Sequence, residues 1–229
     1  LGVMDLAFML DTMRRIASGV PLTLQLAALS IAAGIAFAML LALMRVSALK
    51  PLDLAARGYV FVFRGTPLLV QIFLIYYGMG QFETIRESML WPVLREPYWC
   101  AIIALTLNSA AYTGEIIRGG IQAVPFGQVE AAKACGMSTA QTYRRIVLPQ
   151  AFRLALPAYG NEIILMVQAS ALASTITIME LTGAARAIAS RTFQPVEVFV
   201  IAGAIYLALN FLISRGVRVA ELRLNPARR

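Results

Sequence analysis

Residues 20–44 read VPLTLQLAALSIAAGIAFAMLLALM. The stretch holds no charged side chain, and Gln25 is its only strongly polar one. A helix needs about 20 largely apolar residues to span a bilayer, and this run supplies them without interruption. Four further stretches read the same way, at about 65–82, 98–117, 154–173 and 196–214. The second contains Pro67 and Gln71, and its entrance, Tyr59 to Phe63, is also apolar. Arg64 is therefore expected at the membrane boundary, reaching outward to the headgroups. Of the 229 residues 59% are apolar and only 14% charged, against about 25% charged in soluble domains. So few charges cannot clothe the surface that so many apolar residues would need. A soluble globular enzyme, a disordered tail and a disulfide scaffold are excluded. The expectation is an all-α integral membrane protein, a single transmembrane domain over 1–229 with five transmembrane helices.

Orientation follows from the basic residues that flank the spans. Segments 45–64, 115–153 and 215–229 hold 14 of the 20 Lys and Arg, and segments 1–19, 83–97 and 174–197 hold the other 6. That bias predicts a periplasmic N-terminus and a cytoplasmic C-terminus. It also turns the net charge of +8 into a matter of membrane topology rather than nucleic-acid binding. The C-terminal Arg223, Arg228 and Arg229 are read as meeting anionic lipid headgroups. Histidine is absent, and Cys100 and Cys135 form no CxxC pair. No metal site and no catalytic residue is expected, and the two cysteines read as reduced packing residues.

The loop between the third and fourth spans is longer than a connection requires. Over about 124–149 it reads VPFGQVEAAKACGMSTAQTYRRIVLP. Gln128 to Cys135 favours helix, and Gly136 stands where a left-handed C-terminal cap is expected. Ser138 and Gln141 make a capping box for a second short helix, which Pro149 is expected to end or kink. The small side chains at 131, 132 and 134 give the first helix a low profile suited to a groove on another protein. An interfacial helix pair lying on headgroups fits the same pattern.

These residues carry a resemblance. Glu130-Ala131-Ala132, then Gly136, then Ile146-x-Leu148-Pro149 resembles the EAA loop of permease subunits in binding-protein-dependent ABC importers. Phe63-Arg64-Gly65-Thr66-Pro67, Leu107-Asn108, Ala111-Tyr112-Thr113-x-Glu115-Ile116, Val124-Pro125 and Asn161-Glu162 look like the polar amino-acid branch of that superfamily. The likeness runs from about residue 18 to 220 and is greatest to the histidine/lysine/arginine/ornithine and opine permeases. It implies a type I ABC importer permease fold in the bacterial inner membrane, spanning it several times. The implied partners are a second homologous permease (the histidine branch favours a heterodimer), two ATPase subunits and a periplasmic substrate-binding protein, besides membrane lipid. It implies no cofactor on this chain, ATP and Mg belonging to the ATPase subunits. Consistent with that, the sequence has no GxxxxGK[ST] phosphate loop. In this reading Phe126, Gly127, Glu130, Ala131, Ala132 and Gly136 form the ATPase-docking element.

Glu162 is the only charged side chain well inside a predicted span. A carboxylate at mid-membrane costs about 2.5–3.5 kcal/mol on insertion scales, so it must face protein or water. By the resemblance its position lies beside the translocation site, where a carboxylate attracts an ammonium or guanidinium group. The bland reading is a packing carboxylate hydrogen-bonded to Asn161 or Asn108. Asn161, Asn108 and Gln168 are the other candidate substrate-binding residues, although polar groups inside membranes also bond helix to helix. Glu115 is expected to pair with Arg118 at an exposed face. A secondary amino-acid transporter with Glu162 as proton carrier is the alternative, weakened by the lack of an inverted repeat.

Overall fold

A computed structural model describes residues 6–224; Arg228, Arg229 and the outermost residues of the 1–229 domain lie outside the described residues. Twelve α-helical segments follow in order among these residues. They are α1 (Leu6–Ala17), α2 (Val20–Val46), α3 (Lys50–Gly65), α4 (Leu68–Phe73), α5 (Glu83–Arg86), α6 (Trp91–Leu94), α7 (Pro97–Gln122), α8 (Phe126–Ala134), α9 (Thr139–Thr142), α10 (Leu148–Ala169), α11 (Leu181–Thr192) and α12 (Pro195–Leu224). Leu6–Val46, Pro97–Gln122 and Pro195–Leu224 are each long and apolar enough to cross a membrane. Two bent pairs, Lys50–Gly65 with Leu68–Gln81 and Thr139–Ile176 with Leu181–Thr192, raise the number to five if each pair is one span.

The bundle is built on α2 and α7. Lipid tails are as apolar as Leu, so helices in a bilayer associate through close packing rather than water exclusion. Ser30, Gly34, Ala38 and Ala42 recur every fourth residue of α2, and all four are buried. That stripe lies against α7. A Cβ on Gly34 would meet the Ser109 side chain at 3.2 Å, and one on Gly114 would meet the Leu41 Cβ at 3.3 Å and the Ala38 carbonyl at 3.4 Å. Ser30 Oγ also donates to the Ile102 carbonyl at 3.5 Å. Residue numbers rise together along both helices, so α2 and α7 are parallel, and α3 and α4 carry the chain back between them. The main core joins Leu26 and Ala27 of α2, Ile72 of α4, Ala101 to Leu105 on α7, and Met166 and Val167 of α10.

The second span is not a plain helix. Between α3 and α4 the axis turns by 102°, because Thr66 (φ −116°, ψ 145°) and Pro67 (φ −62°, ψ 133°) are extended. A residue before proline is pushed out of the helical region. After α4 the chain continues as a π turn at Leu74–Gly78 and a 3-10 turn at Met79–Gln81.

A second departure lies before the fourth span. Pro149 does not end the short helix α9. The chain stays helical through a π turn at Tyr143–Val147 and enters α10 with Pro149 in its first turn. Proline is tolerated there because the first amides of a helix need no partner within it. α9 and α10 are thus one continuous rod. α10 runs antiparallel to α7, with Gly120 against Ala151 and Ala155.

The Gly120 contact sets the register between α7 and α10. A Cβ at 120 would lie 2.6 Å from the Ala151 carbonyl oxygen and 3.0 Å from the Ala155 Cβ. Gly120→Ala is expected to lower stability by about 1–3 kcal/mol, as overpacking does. Gly58→Ala, in α3 with nothing within 4 Å, is expected to be neutral or stabilising by up to ~1 kcal/mol. Thermal unfolding of the two variants in detergent checks this, and equal midpoints would refute the register.

Candidate functional site

The break at 65–67 strips helix partners from the carbonyls that precede it, and in a bilayer such groups must be satisfied by protein. Gln71 Nε2 donates to the Phe63 carbonyl (2.9 Å), the Thr66 carbonyl (3.1 Å) and Thr66 Oγ1 (2.8 Å). Asn108 Nδ2, from α7, donates to the same Phe63 carbonyl (3.2 Å) and to Gln71 Oε1 (3.1 Å). Asn108 is therefore turned to the bend, where it fixes the broken helix against α7. Tyr59 adds a further tie, its hydroxyl donating to the Leu107 carbonyl at 2.6 Å.

Holding the bend places Arg64. Its guanidinium lies 4.9 Å from the ring centroid of Tyr112 on α7, and the residue is exposed. Glu162 stands on α10. Glu162 is 6% exposed. Among the described residues it has no hydrogen-bond partner, so the bonds to Asn161 or Asn108 considered from sequence are not made. One turn earlier on α10 the Tyr159 hydroxyl is buried without a partner, as is Thr113 Oγ1 on α7. Tyr159 and Thr113 line one cavity of about 300 Å³ together with Ile35, Met39 and Ala155. Buried polar groups are ordinarily paired. Here the Tyr159 and Thr113 hydroxyls, with Thr106 Oγ1 and Asn210 Oδ1, are left without partners among the described residues.

Asn161 and Gln168 are both exposed on α10. Asn161 opens into a groove between α10 and α12, about 100° round the helix from Glu162. The four candidate substrate residues thus fall in different surroundings: Glu162 inside against α7, Asn108 at the bend, Asn161 and Gln168 on open surface.

The loop element has the shape expected of it. α8 ends in a Schellman motif, with the Gly136 amide donating to the Lys133 carbonyl (2.9 Å) and the Met137 amide to the Ala132 carbonyl (3.0 Å). Gly136 has φ +79°, the left-handed region that favours glycine. Ser138 and Gln141 form the capping box, Gln141 Oε1 accepting from the Ser138 amide at 2.9 Å. Phe126 is 70% exposed, and Gly127, Glu130, Ala131 and Gly136 are exposed with it. Ala132 is buried, on the face that α8 turns to its own chain. Gln150 on α10 donates to Gln128 on α8. Cys135, expected to pack, is exposed, whereas Cys100 is buried and its thiol donates to the Leu94 carbonyl.

At the same end of the bundle an ion cluster binds three helices. Arg45 of α2 meets Asp53 of α3 at 2.5 Å and Glu115 of α7 at 3.0 Å, while Arg57 and Arg118 take the second oxygens at 2.8 Å. The Glu115–Arg118 pair is therefore part of a larger cluster, with the Glu115 side chain only 15% exposed. At the far end Glu180 is wholly buried. It accepts from the amides of Thr182 and Gly183 (both 2.9 Å), the Tyr206 hydroxyl (3.1 Å) and Thr23 Oγ1 (3.4 Å). Sequence reasoning passed over it. Its signal was available: an acidic residue immediately before Leu181, where a helix start takes an acceptor. Among the described residues no group of three or more His, Cys, Asp or Glu could hold a metal.

The chain is 58% identical over 225 residues to the octopine transport system permease protein OccM of Rhizobium radiobacter, covering 98% of this chain and 92% of that protein. It is 44% identical to the histidine/lysine/arginine/ornithine transport system permease protein HisM of Escherichia coli K12, over 90% and 87% of the two chains. A solved crystal structure of an amino acid ABC transporter with histidines superposes with a TM-score of 0.86 at 38% identity, covering 96% of this chain and 99% of that one. Neither the relatives nor the fold supports the gradient-driven alternative. Residues 30–226 match the description of a binding-protein-dependent transport system inner membrane component, and to that family of ABC importer permeases the chain belongs.

Proposed function

We propose that this chain forms one half of the pathway by which an importer moves a cationic amino acid or opine across the bacterial inner membrane. The observation that carries the proposal is the buried Glu162 carboxylate, left without a hydrogen-bond partner among the described residues. An amino acid brings both complements, an ammonium or guanidinium for Glu162 and a carboxylate for Arg64. The lone hydroxyls of Tyr159 and Thr113 would take or give the remaining bonds. An unmet buried carboxylate is costly in an empty pathway and becomes favourable when a cation fills it. Asn108 acts by fixing the bend that carries Arg64. Asn161 and Gln168 are assigned to the pathway wall beyond Glu162.

Energy enters from two partner ATPase subunits, which carry the ATP and Mg; this chain holds neither and catalyses no reaction. A second homologous permease completes the pathway, most simply as a heterodimer, and a periplasmic binding protein delivers the substrate. The N-terminus is periplasmic and the C-terminus cytoplasmic, so α8 faces the ATPase. Phe126, Gly127, Glu130 and Ala131 present the docking face, Ala132 anchors it from below and Gly136 closes its turn. Closure of the ATPase pair would then move α8 and the helices it joins between two discrete arrangements.

Reconstituted importer with its binding protein tests the pathway assignment. Glu162→Gln keeps the size of the side chain and removes its charge. Uptake of arginine or an opine should fall at least about tenfold, the loss of one charge-assisted contact, while binding-protein-stimulated ATP hydrolysis persists. Undiminished uptake would make Glu162 a packing residue. Glu130→Arg should lose co-purification with the ATPase, whereas survival of that complex would refute the docking face. Gly136→Ala forces a residue with Cβ into the left-handed region at a cost of about 1–2 kcal/mol. Faster amide exchange over 126–138, with exchange in α7 unchanged, is the result expected.

A further inference from the structure

Two polar stripes face each other across α10 and α12. On α10, Arg153, Asn161 and Gln168 fall within about 80° of arc, and all three are exposed. On α12, Asn210, Ser214, Arg218 and Glu221 fall within a similar arc. The stripes border a groove of about 460 Å³, lined by Arg153, Asn161, Ser214, Arg218 and Glu221 among others. Its floor is the close approach of two helices, where a Cβ on Gly160 would lie 2.3 Å from Val217 Cγ1. Tyr206 of α12 meets Glu180 beyond the far end of α10, so the helices run antiparallel and the Gly160 contact fixes the level of the lining residues. Asn161 and Ser214 stand within about 5 Å of it on the side away from α8. Arg218 and Glu221 stand within about 6 Å of it toward the α8 end, and Arg153 about 10 Å beyond the contact on that side.

Polar side chains on membrane-spanning helices face water or protein. The side chains of Arg153, Asn161, Arg218 and Glu221 make no hydrogen bond or ion pair among the described residues. Arg218 and Glu221 have the spacing at which Glu115 and Arg118 pair at 2.8 Å, yet here guanidinium and carboxylate stay apart. Their order, with the acid C-terminal to the base, is the less favourable one for pairing. On the same stripe of α12, Asn210 Oδ1 is buried without a partner. Pro157 lacks an amide hydrogen, so the Arg153 carbonyl loses its usual helical donor. The groove thus presents an unpaired cation and an unpaired anion one turn apart.

A guanidinium and a carboxylate one turn apart complement the charged head of an α-amino acid. We infer that the α10–α12 groove is a release subsite for the transported amino acid, Arg218 taking its carboxylate and Glu221 its ammonium group. A guanidinium fork suits a carboxylate. The inference rests on the proposed pathway, in which Asn161 belongs to the wall beyond Glu162. Glu162 lies two residues from Gly160 on one side of the contact, and Glu221 four residues from Val217 on the other. The two carboxylates are therefore about 9 Å apart along the helix axes. A cation leaving Glu162 toward the α8 end meets a second carboxylate before it meets bulk water. Passage needs several weak sites, since one deep well would hold what it binds. Glu162 is 6% exposed, whereas Glu221 is half-buried beside an exposed cation, Arg218, and so holds a cation less tightly. Arg153, at the α8 end of the groove, gives the departing carboxylate its last contact.

The test uses the detergent-purified importer complex without binding protein, carrying S214C in a C135S background, since Cys135 is exposed and Cys100 buried. Labelling by a charged, water-soluble thiosulfonate is followed while arginine or its decarboxylated analogue agmatine is added. The S214C thiol should react, arginine should slow the reaction, and agmatine should not. R218Q and E221Q should each raise the arginine concentration for half-protection at least about tenfold, the loss of one charge-assisted contact. L212C, about 200° round α12 from residue 214, should gain no protection. N161C reports on the same groove if S214C fails to assemble. An assembled complex whose groove thiol does not react has the groove packed against the second permease, and the subsite is overturned. Equal protection by agmatine overturns the headgroup assignment, and equal protection of L212C reduces the effect to a change of the whole complex. Protection lost in E162Q but kept in R218Q and E221Q places the substrate at Glu162 alone and overturns the groove. The Glu162 assignment is judged by uptake in E162Q and the groove by labelling, so the two fail separately.

Discussion

Everything in this molecule leans on the close contact of α2 with α7. In water a core gathers itself by expelling solvent, but a bilayer offers no such drive between helices. What remains is contact area, and contact area needs small residues. Ser30, Gly34, Ala38 and Ala42 let α2 approach α7 to van der Waals distance, with Ser109 and Gly114 receiving it. Because the two helices are parallel, their ends coincide. Arg45 at the end of α2 can thereby meet Glu115 near the end of α7, and Asp53 at the start of α3 closes the cluster. The bend at Thr66-Pro67 is likewise carried on α7, through Asn108 and Tyr59.

This explains which parts of the architecture were legible in the sequence and which were not. Continuous apolar length revealed the first, third and fifth spans, since a bilayer filters for that property alone. The helix, left-handed glycine and capping box of 126–142 were legible because each depends on neighbours within five residues. The full 102° turn of the second span, beyond the kinked start that Pro67 signals, and the continuous rod from α9 into α10 were not. In both, proline signalled an interruption, and its outcome depended on distant groups: Gln71 and Asn108 satisfied the open carbonyls at 63 and 66, while a π turn absorbed Pro149. Glu162 declared itself by standing alone in an apolar run. Its lack of partners did not, because that is a property of what α7 presents at the same level. Glu180 escaped notice because it lies just past a span, in a stretch that reads as an ordinary connection. There it holds α2, α11 and α12 together through Thr23, its own cap and Tyr206.

The two buried carboxylates make a useful contrast. Both are removed from solvent, yet Glu180 accepts from four donors and Glu162 from none among the described residues. The first therefore stabilises the fold, and an intruding ligand would have to break what it holds. The second is left unpaired by the fold, one turn along α10 from the unpaired Tyr159 hydroxyl. A sequence under selection for stability alone would place an apolar residue at 162. The carboxylate's presence fits the proposed pathway, in which a passing cation would supply the missing bonds.

The connection between the two ends of the transport cycle then follows from chain order. The α8–α9 element is inserted between α7 and α10, and these are the helices that bear Tyr112, Thr113, Tyr159 and Glu162. Gly120 and Ala151, a tight contact between them, lie just outside the element on either side. α9 is continuous with α10 through the π turn, and Gln128 is tied directly to Gln150. α9 and Glu162 therefore lie on one rod, while α8 is set off from it by the turn at Gly136 and tied back to it by Gln128. The two rods meet at a glycine against a backbone carbonyl, a contact that can pivot but has no room to compress. In the proposed cycle, displacement at α8 would be taken up as a change of angle between α7 and α10, the helices that bear Thr113 and Glu162.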